Sequence, residues 1–580
     1  MKQLYFLFLL MMMLPLATAN GQTNITVTNP EVYDILKGNF AADDYLPATL
    51  INHPEDILEG LITEVSPDSL KEYLLSLSAF SNRNTGSDTV STTFGIGAAR
   101  RWAHTKFEEF SAQNEGRLQV AYLQFDQAIC EMGQHRNIFA TLPGIGPHRN
   151  ELVIVEGHMD SRCEDECDTE CIAQGMEDNG SGTALVLELA RVMSQFAFDR
   201  TLVFLITTGE EQGLFGANAF AEFCDNEDIP VRAVYNNDII GGIICGQTAS
   251  PPGCPGLNAI DSINVRVYSS SAVRNLARFV HLEYEENLAP IVPIPSTVNI
   301  MTQEDRSGRG GDHIPFRQRG YQALRFTSAN EHGNGNPSAA NYEDRQHTME
   351  DVLGVDTDGD SVIDSFFVDF NYLARNTVLN GNSAAMSALG PVSPTQFKLE
   401  DIEGGFRYEF DDPNNYGLYR IGIRKFGGNY FDTLLTVTQT TDSLFALLPG
   451  TLYYLTVCAV DSNGIESHFS NEAFDFFTTG TEEIQLPEKA IMLLQNRPNP
   501  FDEATTLGVY VERTVPYSDA FLRVADAQGR ELVRYPIELK PGLIEVIYGY
   551  ENHRYQPGAY YYSLVIDGQV YDTKAMIYAY

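Results

Sequence analysis

Five short stretches of the chain gather acidic and histidine side chains: His158 and Asp160 in GHMD, Asp178 in DNGSG, Glu210 and Glu211 in TGEEQGLFGA, Asp238 in NNDIIGG, and His347 in RQHTMED. Brought into one cleft, so many carboxylates would repel one another unless protons or cations stood between them. Imidazole together with carboxylate suits zinc, at ligand distances of about 2.0–2.2 Å. Two histidines and three carboxylates suffice for two ions if one carboxylate bridges them. Ions about 3.5–4 Å apart can jointly polarise a carbonyl and lower the pKa of a water between them. A carboxylate left outside the ligand set can then accept that water's proton. Taken singly, Glu210–Glu211 reads better as a solvated acidic pair and Asp160 as a helix cap or loop residue. Their order and placement reverse that reading.

The elements that must position these residues alternate between helix and strand patterns. Residues 69–79, 95–110, 183–196 and 214–224 carry apolar side chains at helical spacing, whereas 151–156, 201–207, 233–236 and 323–326 are short apolar runs of the buried-strand type. This alternation predicts an α/β fold, a mostly parallel twisted sheet with helices on both faces. His158 and Asp160 follow the first of those strands, Glu210 and Glu211 the second, and Asp238 the third, while Asp178 stands just before a helix. In an open α/β sheet the carboxyl ends of the strands meet at one crevice, which is where ligands bind. A solvated acidic face would not place its charges repeatedly at the ends of buried strands.

In this order the blocks H-x-D, D-N-G-S-G, G-E-E-x-G-L-x-G, N-x-D and a late H-T resemble the twenty-eighth metallopeptidase family, the co-catalytic zinc aminopeptidases and their relatives. The resemblance covers roughly residues 68–389. It implies that Asp178 bridges two Zn2+ ions, with His158 and Asp238 completing one and Glu211 and His347 the other. It also implies Glu210 as general base, Asp160 as the residue that orients the His158 ring, and a cis peptide after Asp178, where Gly180 and Gly182 relieve crowding. The implied activity is removal of N-terminal residues from peptide substrates. A carboxypeptidase or a single-zinc glutaminyl cyclase on the same scaffold is the alternative, and a non-enzymatic adhesion module a more distant one. His313 in GGDHIPF is read as structural. Some secreted relatives carry an oxyanion-stabilising tyrosine just before the Asp-His pair. The matching stretch RSGRGGDH has none, which leaves Arg306, Arg309 and Tyr342 as candidates.

A second acidic motif, Asp356, Asp358, Asp360 and Asp364 in DTDGDSVID, falls at positions 1, 3, 5 and 9 of an oxygen-rich loop of the kind that binds Ca2+. Phe367 stands where a bidentate glutamate would be expected, and a solvated turn is the alternative reading.

With 38 basic against 78 acidic residues the chain carries a formal charge of −40, which sets it against nucleic acid and anionic lipid as partners. Lys2, the apolar run over residues 4–16 and Ala17-Thr18-Ala19 form the pattern of a cleaved export signal, residues 1–19, and no other segment is long and apolar enough to span a bilayer. Eight cysteines after such a signal favour disulfides. Cys245 and Cys254 flank a Pro/Gly-rich loop and can pair. Cys163, Cys167 and Cys171 lie in an acidic insert, where disulfides are favoured over a metal site. Residues 20–67 read as a propeptide or a packed arm ahead of the peptidase region 68–389. Two small all-β sandwich domains follow. Residues 390–480 resemble a fibronectin type III domain in their last strands. Residues 490–580, with LLQNRPNPF, VADAQGRELV and QPGAYYYSLVIDGQ in that order, resemble the sorting domain of type IX secretion cargo. That resemblance implies the type IX secretion machinery as a partner, export through the periplasm, and a secreted or outer-surface product.

Overall fold

The computed structural model describes residues 22–246, 254, 256–305, 310–331, 337–338, 344–445, 447–448, 451–477, 490–501, 504–549 and 558–578. The expected export signal and Arg306, Arg309 and Tyr342 lie outside these residues.

Nine strands form the main sheet: β1 Thr23–Val27, β2 Gln119–Ile129, β3 Met132–Leu142, β4 Leu152–His158, β5 Thr201–Thr207, β6 Val231–Asn237, β7 Asn264–Tyr268, β8 Thr297–Ile300 and β9 Ala323–Ser328. Their order is β1-β2-β3-β5-β4-β6-β9-β7-β8. The central strands β5, β4, β6 and β9 run parallel, as does β7 with β8. The pairs β1–β2, β2–β3, β3–β5 and β7–β9 are antiparallel. The sheet is therefore mixed, and the expectation of a mostly parallel sheet holds only for its centre. The difference lies at both edges: the β2–β3 hairpin with β1 on one side, whose polar, half-buried residues hide the strand pattern in the sequence, and β7 beside β9 on the other.

Every residue of β4 and β5 is buried, because helices cover both faces. The period of two then sends alternate side chains to two cores. Val153, Val155, Leu202, Phe204 and Ile206 enter one, and Leu152, Ile154, Val203 and Leu205 the other. The first core is closed by α2 Pro54–Glu64, α3 Pro67–Ser78, α4 Gly95–Gln113, α5 Ser181–Met193, α7 Arg274–Glu283 and α9 Phe370–Leu389, and the second by α1 Pro30–Leu36, α6 Phe215–Asn226 and α8 His313–Gln318. Helix α3 shows why such segments coil. The Ser66 hydroxyl accepts from Ser69 N–H at 3.2 Å, Pro67 occupies the first turn, and Leu70, Tyr73, Leu74 and Leu77 form one buried stripe. A cap of this kind contributes about 1 kcal/mol. The N-terminal arm adds β1 to the sheet edge and α2 to the helix layer against α9.

Beyond α9, residues 395–477 form a three-stranded and a four-stranded antiparallel sheet that share a core of Phe406, Tyr408, Tyr419, Ile421 and Val457. Residues 491–578 repeat that arrangement around Leu507, Val509, Leu522, Tyr562 and Leu564. The first sandwich seats on α7, where Arg278 donates to Asn429 O at 2.7 Å and to Glu472 at 3.0 Å. Among the described residues, no helix is long and apolar enough to cross a membrane.

Candidate active site

The site lies at the carboxyl ends of the parallel strands. His158 is the last residue of β4, and its main-chain carbonyl accepts from the Thr183 hydroxyl of α5 at 2.8 Å, fixing strand to helix. His158 Nδ1 stands 3.1 Å from Asp160 O. A carbonyl can only accept, so this contact places a ring proton on Nδ1 and turns Nε2 inward, where a cation in place of a proton could take its lone pair. There Nε2 lies 3.2 Å from Asp178 Oδ1, 3.4 Å from Asp238 Oδ1 and 4.0 Å from Glu210 Oε2.

Asp178 sits on a tight turn between Gly175 and α5, closed by Gly180 N–H donating to Gly175 O at 2.8 Å. The Asp178–Asn179 peptide is cis, as the family resemblance implies. Two anchors hold the turn. Glu177 N–H and Asp178 N–H donate to the two oxygens of Asp351 at 2.9 and 3.0 Å. Asn179 donates to Asn237 O at 2.7 Å and accepts from Gly182 N–H at 2.9 Å. Gly182 is required there, since a Cβ would stand 2.2 Å from Asn237 O.

After β5, Gly209 turns the chain in the left-handed region (φ +78°), presenting Glu210 and Glu211. Their main-chain N–H groups donate to the two oxygens of Asp160 at 3.3 and 3.2 Å. The Asp160 carboxylate thus holds the Glu210 turn, while its own carbonyl orients the His158 ring. The expectation from the resemblance gave Asp160 only the second of these roles, and its carboxylate stays 3.7 Å from His158 Nδ1. His347, reached through a distant loop, places Nε2 at 3.1 Å from both Asp178 Oδ2 and Glu211 Oε2. Asp238 follows β6, and its Oδ2 pairs with the buried Arg325 at 3.1 Å, leaving Oδ1 turned to His158.

All seven predicted residues therefore converge. Asp178 is divided, one oxygen toward His158 and the other toward His347. Two groups can each gather ligand atoms within 4.8 Å of one another: His158 with Asp178 and Glu211, and His158 with Glu210 and Asp238. His158 Nε2, Glu211 Oε1 and Asp238 Oδ1 are buried without a hydrogen-bond partner among the described residues. Nitrogen and oxygen atoms left without partners in two adjoining groups, in a place shielded from water, are a fit for cations such as zinc. The titration of the site states the same demand. Burial would raise the Asp178 carboxyl, but His158 and His347 hold it well below the usual range. Burial opposes the charged form of His347, yet Glu211 and Asp178 raise that ring to about 10. Burial lifts Glu210 well above the usual carboxylate range, with Asp238, Glu211 and Asp312 adding repulsion against the pull of His158.

Arg83, Arg325, Asp312, Gln346 and Asp351 belong to this site and were not found by sequence reasoning. Gln346 donates to Asp178 Oδ2 at 2.6 Å, and Asp312 accepts from the Thr207 hydroxyl at 2.5 Å. Only Arg325 had a legible signal. A cation in the middle of the apolar run 323–326 requires a buried carboxylate partner.

The acidic insert is closed by Cys130–Cys167 and Cys163–Cys171, and Cys245 pairs with Cys254 as expected. His313 is buried in α8 away from the ligand set, as read. In the aspartate loop only Asp356, Asp358 and Asp360 converge. Asp364 does not join them, because it caps the loop by accepting from Thr357 N–H and Oγ1 at 3.0 and 2.8 Å. Of the four aspartates expected from sequence, three therefore gather without an ion and the fourth turns to Thr357.

An α/β protein whose strand ends bring two imidazoles and a divided carboxylate together has the build of a metal-dependent hydrolase. Residues 137–363 match the model of peptidase family M28. The chain is 30% identical over 443 residues to a protein of Leptosphaeria maculans named a probable zinc metalloprotease, covering 73% of this chain and 97% of that one. A relative of the same description from Pyrenophora tritici-repentis is 29% identical over 405 residues, covering 65% and 89%. This chain belongs to peptidase family M28. Among solved structures, the aminopeptidase from Aneurinibacillus sp. strain AM-1 (14% identity, 60% of this chain and 98% of that one, TM-score 0.38) resembles it. The Fimbriiglobus ruber glutaminyl cyclase (17%, 56% and 95%, TM-score 0.38) is also similar.

Proposed function

We propose that this protein is an exported zinc-dependent exopeptidase that removes N-terminal residues from peptides. The observation that carries the reading is the division of Asp178 between His158 and His347, at 3.2 and 3.1 Å. One carboxylate shared by two imidazoles is what a two-ion site requires of its bridging ligand. His158 and Asp238 would hold one zinc ion, Glu211 and His347 the other, and Asp178 both. Bound there, the ions would supply Lewis acidity toward the scissile carbonyl and toward water.

The rest falls to the chain's own groups. Glu210 stands at the open side of the cluster, 4.0 Å from His158 Nε2, and is the carboxylate left free to accept the proton of the attacking water and pass it to the leaving amine. Asp160 fixes that position through the Glu210 and Glu211 N–H groups. Arg325 neutralises one oxygen of Asp238 and keeps the other directed at the site. The aminopeptidase reading, in preference to carboxypeptidase or glutaminyl cyclase, rests on the resemblance of the full motif set to co-catalytic zinc aminopeptidases.

Export is supported by the pattern of residues 1–19 and by three disulfides, which persist in oxidising compartments. The fibronectin type III-like and sorting-domain assignments are supported by the two seven-stranded, two-sheet units and by the terminal motifs. The convergence of Asp356, Asp358 and Asp360 supports a weak calcium site at most.

The test is stepwise return of zinc to chelated protein, assayed on free-amine and N-blocked peptides. Activity on free-amine substrates that is complete at two equivalents is expected. Cleavage of blocked peptides alone would reject the aminopeptidase reading, and full activity at one equivalent would favour the cyclase class.

A further inference from the structure

Arg83 lies in the polar run Ser81–Asn84 between α3 and α4, and is fully buried. A buried guanidinium normally faces a carboxylate. Here the fork is spent on three main-chain carbonyls. Nε donates to Met159 O at 2.8 Å, Nη2 to Gly175 O at 3.0 Å, and Nη1 to Gln174 O. Met159 lies between His158 and Asp160. Gly175 O is also the carbonyl that closes the turn carrying Asp178. The main chain of Arg83 joins the same link: its N–H donates to Ser161 Oγ at 3.3 Å, and that hydroxyl donates to Ala173 O at 2.6 Å. The two flanking asparagines hold the acidic insert, Asn82 through Cys171 O at 2.9 Å and Asn84 through Glu166 O at 2.8 Å.

We infer that Arg83 is a positioning residue for the metal site: it sets the distance between His158 and Asp178 by cross-linking the loops that carry them. Its side-chain hydrogen bonds all go to main-chain carbonyls and none to a ligand atom, while its charge also faces Asp351, Asp160, Asp178 and Glu211. This inference rests on the two-zinc reading above. The planar fork is what the role needs, because lysine keeps the charge but cannot reach three carbonyls in one plane. Asp178 would serve both ions, but only the ion held by His158 and Asp238 takes ligands from both loops that this link joins, so it depends on Arg83 more than the ion of Glu211 and His347 does.

The experiment compares wild type with Arg83→Lys in the full-length protein. Zinc affinity is measured by chelator competition, alongside kcat, KM and the thermal midpoint of the zinc-free form. Groups that orient metal ligands typically contribute on the order of 10–100-fold in affinity. Arg83→Lys should weaken one zinc step by that factor and the other by clearly less. It should lower kcat more than it raises KM, and excess zinc should restore kcat. Equal weakening of both steps, or wild-type affinity at both, would overturn the inference. If Arg83→Lys does not fold, Ser161→Ala takes the same measurements. A smaller loss that falls mainly on one step supports the inference, and two unchanged or equally weakened steps refute it. Failure of the wild type to bind two zinc ions would instead count against the proposed function.

Discussion

Two regions gather aspartates at close range, the rim of the main sheet and the loop at Asp356–Asp364, and they leave the oxygens in opposite states. At the rim, His158, Asp178 and Asp238 are 1%, 4% and 4% exposed, and lone pairs on His158, Glu211 and Asp238 find no donor among the described residues. In the loop the aspartates are exposed, and their oxygens are met by the loop's own amides. Asp356 accepts from Gly359 N–H at 2.6 Å and Ser361 N–H at 2.7 Å, and Asp360 from Val362 N–H at 2.8 Å. Spacing of acidic residues does not by itself create a demand for a cation. Burial without donors does, since a desolvated carboxylate has no water to fall back on.

The largest expected break in this contrast is Asp178→Asn. It removes the charge shared by both ligand groups and should abolish tight uptake of both zinc ions, as measured by metal analysis after dialysis. Activity should fall further than in any other single variant. Glu210→Gln comes next: zinc content should remain at two per chain while kcat falls on the order of 10²–10⁴-fold. Full activity in that variant would remove Glu210 as the base.

A third effect concerns stability rather than chemistry. His313 is pushed down to about 3 by burial and by the neighbouring Arg325 and Arg317. His468, against Ser387 Oγ at 2.7 Å, is held well below its usual range by burial. In both cases the unfolded chain binds the extra proton, so stability is complete above about pH 6.5 and falls as the pH drops below it. Each group should contribute a slope of about 1.4 kcal/mol per pH unit, read by urea unfolding between pH 7.5 and 5. His468→Gln should flatten that slope by one proton, and an unchanged slope would contradict the assignment. The smallest effect belongs to the loop. Asp356→Asn with Asp358→Asn should leave zinc binding and activity intact and shift stability by no more than about 0.5 kcal/mol. Calcium should bind the wild-type loop no more tightly than about 10⁻⁴–10⁻³ M. A micromolar calcium affinity would erase the contrast between the two regions.

The strand-end residues were legible because apolar runs such as 201–207 are continuous in sequence, and an acidic or histidine residue at the end of each stands out. Strand β5 matches its expected bounds, whereas β4 and β6 extend by one or two residues into the site, since His158 and Asn237 keep strand geometry. Helix α4 runs on to Gln113, past the apolar spacing that marked it, because helical hydrogen bonding outlasts the buried stripe. The antiparallel hairpin Gln119–Leu142 was not legible. Its outer residues Gln124, Gln127 and Gln134 are polar, and its burial alternates only in part. Nor was Arg83. Its partners are backbone carbonyls 76 to 92 positions away, and a backbone acceptor leaves no residue type to read. The Cys130–Cys167 bond was hidden for a similar reason, because only the folded hairpin brings Cys130 to the insert.

The central claim is that five side chains hold two adjacent ions, with Asp178 between them. Anomalous diffraction at the zinc edge from crystals of the zinc-loaded protein tests it directly. The account predicts two peaks about 3.5–4 Å apart, one against His158 and Asp238, the other against Glu211 and His347, with Asp178 touching both. A single peak, or two that do not share Asp178, would contradict it.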